Sequence, residues 1–433
     1  MEKQNIRIKI FAIAKDEAAY IPQWVHHHFY FGFDEIEIWL NNIEDNSIEV
    51  CERLSDTYGN FSYKVADDIL EECKGKGLHF QRFAYNEVYK RELADKNFTH
   101  IFYLDLDEMW TPKDFSTNIK EYLSLYSDKD SISFPWYIDD ASYDKNVFTD
   151  LFSIKQKIYT NRHVKSLVKI TDKVSKVDIH NHLITEGKYI LYNGNVFNTS
   201  SPESLQGALL PIVDKESESN ELDGFFIYHR VFRSQVEYIS SLMRGRQHSR
   251  HMGRLKDNRW GYKNVGKCFE FIIDNEIVKY NKSYVSFLDR NDIFMSVLEA
   301  QRFIINRYYQ VKDFVLNNED KILYERLFDG IHLNEIGKYG AIKYNIDSTL
   351  RDDKNIFIIG WIVKNDPTPQ DFLDIKFIFC DHNGNEKKLN GEIKFINRPD
   401  VVEKVHKSAP VSSGFKFIFP KEYFSSNGLK VSS

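Results

Sequence analysis

An α/β fold with a mostly parallel sheet, followed by helices and a small all-β domain, is what these 433 residues predict. Three observations carry that expectation. Apolar, β-branched runs alternate with helix-like stretches through the first hundred residues. One of the runs closes on paired carboxylates. From about Lys343 the texture changes to short strands separated by Asp, Asn, Gly and Pro. Strands alternating with helices imply βαβ units, and hence a largely parallel sheet covered on both faces. A single hydrophobic core rarely grows past roughly 250–300 residues, so more than one domain is expected.

The elements follow in order. IRIKIFAIA (Ile6–Ala14) is an apolar run and EIEIWL (Glu35–Leu40) alternates with period two, both strand signals. FSYKVA (Phe61–Ala66) and HIFYLDLD (His100–Asp107) are two further strand candidates, with helices expected at Ala18–Phe31, Ser47–Tyr58 and Leu78–Lys96. Strands are expected at Ser131–Ile138 and Ser166–Ile170. A Ser-, Pro-, Glu- and Asn-containing stretch at Ser200–Leu222 reads as an exposed loop. Helices are expected at Gln235–Met252 and Asp292–Leu316, then a linker near Ile336–Ala341. IFIIGWIV, DIKFIFCD, GEIKFI and GFKFIFP read as the strands of a small β-sandwich. The expected domains are thus 1–260, a helical extension over 261–340, and an accessory sandwich over 341–433. The ending SNGLKVSS is expected to be a cut, with further modules beyond it.

Composition excludes several classes. Hydrophobic residues at 42% and charged residues at 28% are ordinary for a globular protein. A net charge of −6 argues against a broad nucleic-acid surface, which is normally basic. Cys51, Cys73, Cys268 and Cys380 form no CxxC pair, so neither zinc nor a disulfide framework is indicated. The N-terminus lacks a signal-peptide pattern, and no run approaches the ~20 apolar residues that span a bilayer. A cytoplasmic location is expected, with peripheral association at the inner face of the membrane as an option. The 15% aromatic content suits both sugar-stacking surfaces and plain cores.

YLDLDEMW places Asp105, Asp107 and Glu108 after an apolar strand. Residues two apart on a strand point the same way, so Asp105 and Asp107 are expected to converge. Paired carboxylates at a strand's carboxyl end make a hard-oxygen site for Mn²⁺ or Mg²⁺. A departing diphosphate needs such a charge partner. A solvated strand end has the same sequence. Consecutive His26, His27 and His28 point about 100° apart on a helix and cannot chelate one ion; His28 is expected to face the core and the other two the surface. His248 and His251 share a helix face, which does not by itself make a site. Trp136 and Tyr137 are candidate acceptor-sugar platforms or core residues.

The chain resembles glycosyltransferases of the GT-A fold, family 2-like and family 92-like. The stretches that carry this are AIAKDEAAYIPQWVHHHFYFGFDEIEIWLNN (Ala12–Asn42), HFQRFAYNEVY (His79–Tyr89), IFYLDLDEMW (Ile101–Trp110), KSLVK (Lys165–Lys169), DIHNH (Asp178–His182) and IYHRVFRSQVEYISSLMRGRQH (Ile227–His248). Asp16-Glu17 stands where the family normally has Asn-Glu. The resemblance implies a nucleotide-sugar pocket edged by Ala14, Lys15, Glu17, Asn42, Gln81 and Asp105, though acidic residues there also suit a helix N-terminus. It implies metal ligands Asp105, Asp107 and a late histidine, His229. Arg244, with Arg246 and Arg250, would neutralise the departing diphosphate. Inversion is implied, and so is a base: Asp178, with Asp140 and Asp139 as rivals.

The expected activity is metal-dependent transfer of a hexose from a UDP-sugar, UDP-Gal or UDP-Glc, to a glycan or lipid-linked glycan acceptor in bacterial surface-polysaccharide assembly, in capsule or lipopolysaccharide. Two other classes stay open. A metal-dependent nucleotidyltransferase needs the same carboxylates, although no G-x-G-x-x-G or Walker-type loop is present. A glycan-binding protein on the same scaffold would not turn over. The C-terminal domain is expected to be accessory.

Overall fold

Six apolar residues and Lys9 form β1 (Ile8–Ala14), the strand from which the N-terminal half is built. The computed structural model describes residues 5–142, 147–197, 222, 224–244, 255–256, 258–316, 325–331, 342–351, 354–364, 378–380, 386–388, 391–398 and 414–420. After β1 come α1 (Ile21–Tyr30), β2 (Glu35–Leu40), α2 (Ser47–Thr57), β3 (Phe61–Val65), α3 (Asp67–Gly75), α4 (Phe80–Asp95) and β4 (His100–Tyr103). Next are β5 (Glu108–Pro112), α5 (Ile119–Ser124), β6 (Ser131–Asp139), β7 (Lys155–Lys169), β8 (Val174–Lys176), β9 (Leu183–Ile184) and β10 (Tyr189–Leu191). The first unit closes with β11 (Phe225–His229), α6 (Gln235–Leu242), β12 (Cys268–Ile272), α7 (Glu276–Asn291) and α8 (Phe294–Leu316).

These strands make a ten-stranded sheet in the order β3-β2-β1-β4-β7-β6-β11-β5, with β10 beside β6 and β12 beside β7. The half made of β3, β2, β1 and β4 is parallel, as the strand–helix alternation predicts. At β7 the direction reverses, since β7 runs antiparallel to both β4 and β6. The α/β class therefore stands, and the long β7 extends well beyond the expected Ser166–Ile170. Helices α3 and α7 and strand β5 are additions to the expected elements. Both helices sit in charged stretches, and each is held by an apolar face with buried residues such as Leu70 in α3 and Phe287 in α7.

Phe11, Trp39, Tyr85 and Tyr103 pack edge-on or stacked in one core cluster under α4. Buried Lys9 lies 2.8 Å from each of Glu35, Glu37 and Glu92, and Arg91 joins Glu37 and Glu92. A cation inside a core requires such partners, because desolvation is otherwise too costly.

Two expectations need correction. His26, His27 and His28 are all buried, not split between core and surface. Helix α7 covers that face: His26 bonds Ser283 (3.0 Å), and His27 bonds Tyr280 (3.2 Å) and the Trp110 carbonyl (2.8 Å). The strand carrying the D-x-D residues stops at Tyr103, so Asp105 and Asp107 lie in a turn and the alternation argument does not apply. The expected helix Gln235–Met252 ends at Leu242, and residues 245–254 lie outside the described ones. The expected loop is likewise outside them except for Leu222, and the linker at 336–341 wholly so.

The chain divides into two compact units, Met1–Ser142 with Leu151–Gly330, and Tyr143–Asp150 with Ile331–Ser433. In the second, β13 (Ile342–Arg351), β14 (Asn355–Lys364), β15 (Ile378–Cys380), β16 (Glu386–Lys388), β17 (Glu392–Ile396) and β18 (Gly414–Pro420) are all antiparallel. They form a four-stranded sheet, β13-β14-β18-β17, and a β15-β16 pair.

Candidate active site

The turn after β4 is shaped by backbone and by one indole. The Glu108 amide donates to the Asp105 carbonyl (3.0 Å), closing the turn. Trp24 on α1 donates Nε1 to the carbonyls of Asp105 (3.1 Å) and Glu108 (2.8 Å). From there β5 pairs antiparallel with β11, which sets His229 opposite Glu108. The Arg230 amide donates to the Asp107 carbonyl (2.8 Å), tying the end of β11 to the same turn.

Within this turn the two aspartates part company. Asp107 Oδ2 lies 3.5 Å from His229 Nε2 and 4.0 Å from Arg259. Asp105 faces the other way: Gln81 donates to Oδ1 (3.1 Å) and Lys165 to Oδ2 (3.3 Å). Lys165 also sits 3.1 Å from Glu108 Oε2, the oxygen that accepts the Asp105 amide. The expected convergence of Asp105 and Asp107 is therefore corrected, because a turn lacks the period-two geometry of a strand. Burial opposes ionisation of Asp107, yet His229, Arg233 and Arg259 override it and hold this carboxyl well below the usual range. Glu108 is pushed up to about 7 by burial, against the pull of Lys165. For Lys165 burial disfavours the charge, but Asp105 and Glu108 outweigh it and hold the ammonium above its ordinary value.

Among the described residues no three His, Cys, Asp or Glu side chains group as a metal site. Asp107 Oδ2 and His229 Nε2, 3.5 Å apart, could hold an ion as a two-residue donor set; Nδ1, on the other side of the ring, is buried with no hydrogen-bond partner among the described residues. Carboxylate plus imidazole suits Mn²⁺, and such ions commonly complete their shell with water and substrate phosphate.

Cations crowd the same corner. Glu17 pairs with Arg244 and, at 3.5 Å, with Arg233; Asp16 accepts from Arg307 (3.1 Å). Burial, then Arg307 and Arg259, push Arg244 down to about 9. Burial, Arg244 and Arg259 push the buried Lys256 well below its ordinary value. The Nε atoms of Arg244 and Arg259 are buried with no hydrogen-bond partner among the described residues. Positive groups that disfavour one another this way are stabilised by an anion.

The other candidates divide. Gln81 reaches Asp105 and the Tyr85 hydroxyl (2.9 Å), and the next residue, Arg82, holds Asp178 (2.9 Å). Its Oδ2 is buried with no hydrogen-bond partner among the described residues. Asp140 is bonded by Asn264 (2.7 Å) and Ser142, while Asp139 accepts the Phe232 and Arg233 amides at 2.9 and 2.7 Å and so anchors that loop. Ala14 accepts from the Asn41 amide (3.0 Å), Lys15 is half-buried, and the Asn42 amide donates to Asp67 (2.6 Å). Trp136 lies 4.2 Å from the His229 ring and stacks on His163, whereas Tyr137 packs on Phe226 and Phe269 on the opposite face. Arg246, His248, Arg250 and His251 lie outside the described residues.

Lys256, Arg259 and Arg307 have no motif to mark them, while Lys165 and Arg233 lie in stretches that carry the resemblance but were given no role of their own. Lys165 had one signal, a charge inside the apolar run HVKSLVKI.

No protein-family model matches the chain, and none of the curated proteins does. Among solved structures it is similar to S. aureus TarS, at 8% identity over 96% of this chain and 73% of that one, with a TM-score of 0.23. It is also similar to an active-site mutant of LgtC, at 16% identity over 37% of this chain, TM-score 0.19. The galactosyltransferase LgtC with donor and acceptor sugar analogs matches at 17% over 37%, TM-score 0.18. The chain spans 57% and 58% of those two LgtC chains. Superpositions this loose transfer neither residue roles nor activity.

Proposed function

We propose that the chain is a glycosyltransferase that moves a hexose from a UDP-sugar, UDP-Gal or UDP-Glc, to a glycan or lipid-linked glycan, with inversion, at the cytoplasmic face of a bacterial membrane during surface-polysaccharide assembly. One observation carries the reading: a carboxylate–imidazole pair, Asp107 and His229, stands beside a cluster of cations, buried Lys256 and part-exposed Arg244 and Arg259, in which burial and mutual repulsion push Arg244 and Lys256 below their ordinary values even with Glu17 and Asp107 beside them. A nucleoside diphosphate supplies the missing negative charge. A divalent ion held by Asp107 and His229 would add Lewis-acid stabilisation of the leaving phosphate.

The chain's own groups account for the remaining steps. Arg244 and Arg259 would take the charge that develops on the β-phosphate oxygen as the C1–O bond breaks and its electron pair leaves with UDP. The acceptor hydroxyl forms the new bond to C1 from the opposite face, and its proton passes to a carboxylate. Asp178 suits that task better than Asp140, since Asp178 keeps an oxygen without a partner while both Asp140 oxygens are bonded. Gln81 would steady Asp105 against the nucleotide, and Trp136 would offer the acceptor an aromatic edge beside His229.

The test is calorimetric titration of UDP with Mn²⁺ and then with EDTA, on wild type and Asp107→Ala, followed by turnover of UDP-sugars. Binding that needs both the metal and Asp107 supports the reading. A protein that binds glycans but no nucleotide under any condition would instead be a lectin on this scaffold.

A further inference from the structure

Lys165 is a charged residue with 0% exposure, between buried Val164 and buried Ser166 on β7. Its place follows from the register. Leu167 of β7 pairs with Phe102 of β4, and two residues further along the antiparallel pair β7 carries Lys165 past the end of β4, where the D-x-D turn begins. Its ammonium then meets Asp105 Oδ2 at 3.3 Å and Glu108 Oε2 at 3.1 Å. Gln81 takes the other Asp105 oxygen, and Glu108 accepts the Asp105 amide. Asp105 is thus clamped on both oxygens by side chains. Asp107, two residues on, is turned away toward His229.

A site with two closely spaced aspartates and a glutamate would ordinarily draw ions into several positions, because uncompensated carboxylates repel one another in a low-dielectric pocket. A fixed ammonium removes that option at Asp105 and Glu108. A divalent ion approaching Asp105 Oδ2 would have to compete with the ammonium of Lys165, which is 0% exposed, while the Asp105 side chain itself keeps 39% of its surface open.

We propose that Lys165 is a resident cation of the D-x-D turn that keeps Asp105 and Glu108 out of any metal shell, so that the chain binds a single divalent ion through Asp107 and His229. Lys165 is then a positioning residue, acting through Asp105. The inference rests on the metal part of the proposed function, and its test needs neither donor nor acceptor.

The test titrates Mn²⁺ alone into the full chain, reading stoichiometry by calorimetry and bound ion by electron paramagnetic resonance. Wild type takes up one ion. Asp107→Asn weakens binding by about thirtyfold or more, while Asp105→Asn changes it by less than about threefold, the difference between a lost ligand and a spectator. Lys165→Met, with two carboxylates uncovered, binds a second ion or tightens the first about tenfold, and Lys165→Arg behaves as wild type. Thermal melts of each variant check folding, and if Lys165→Met fails to fold the two aspartate variants still decide. Equal losses from Asp105→Asn and Asp107→Asn would overturn the proposal. Wild type that binds UDP but no Mn²⁺ would overturn it and the metal requirement together, while leaving glycosyl transfer standing.

Discussion

Arg259 and Lys256 are the side chains on which donor affinity is expected to depend most directly. Charge-assisted hydrogen bonds contribute about 1.5–3 kcal/mol each, and tenfold in affinity corresponds to about 1.4 kcal/mol. Arg259→Ala and Lys256→Met are each expected to raise the UDP dissociation constant by about ten- to a hundredfold with little change in melting temperature. Unchanged calorimetric affinity would place the diphosphate elsewhere. Lys9 is a different kind of charge, a structural one. Its ammonium compensates Glu35, Glu37 and Glu92 at the edge of the core, where Arg91 assists. Lys9→Met would leave buried carboxylates facing each other and cost about 3–5 kcal/mol by urea unfolding. Of the candidate residues, Asp105 and Asp107 stood out in the sequence because they follow an apolar run, whereas Gln81 and His229 were singled out by the resemblance. Lys256 and Arg259 were not singled out, and Lys165 was quoted only within KSLVK, since a lysine or arginine in sequence looks the same whether it is solvated or set against a carboxylate.

The helix–strand junctions carry the next set of constraints. Gly32, between α1 and β2, has φ +88°, and a Cβ built there would stand 2.0 Å from Asn118 Nδ2. Asn118 is the N-cap of α5 and forms a capping box with Glu121. Gly32→Ala therefore strains the backbone and displaces a cap, and about 2–4 kcal/mol of stability is expected to go. A melting curve that does not move would mean that Asn118 swings aside freely. At α1 the same logic explains the histidine triplet: the helix is buried on nearly every side because α7 covers what would otherwise be its solvent face. That cover comes from about 250 residues away, which no local pattern announces.

For the whole molecule, the buried imidazoles set a pH limit. Burial lowers His26 and His27 to about 3, and His100 and His182 to about 4. An unfolded chain protonates them near 6.5, so protons favour unfolding between that value and the folded ones. Stability is full above pH 6.5 and falls as the pH drops through this window, at about 1.4 kcal/mol per unit for each such group. Urea midpoints measured from pH 7.5 down to pH 4.5 are expected to decline steadily. A flat profile would show that these imidazoles are charged in the fold. No helix among the described residues is long and apolar enough to cross a membrane.

The parallel half of the sheet and the antiparallel C-terminal strands were determined by the sequence itself, because apolar period and turn residues are local properties of the chain. The position of the D-x-D pair after the fourth strand was determined in the same way. Tertiary structure alone decided which way those carboxylates face. A turn pinned by Trp24 breaks the strand's alternation, β7 brings Lys165 to Asp105, and β11 brings His229 to Asp107. These partners are separated by between 60 and well over a hundred residues, and only the packed sheet brings them within reach of a hydrogen bond.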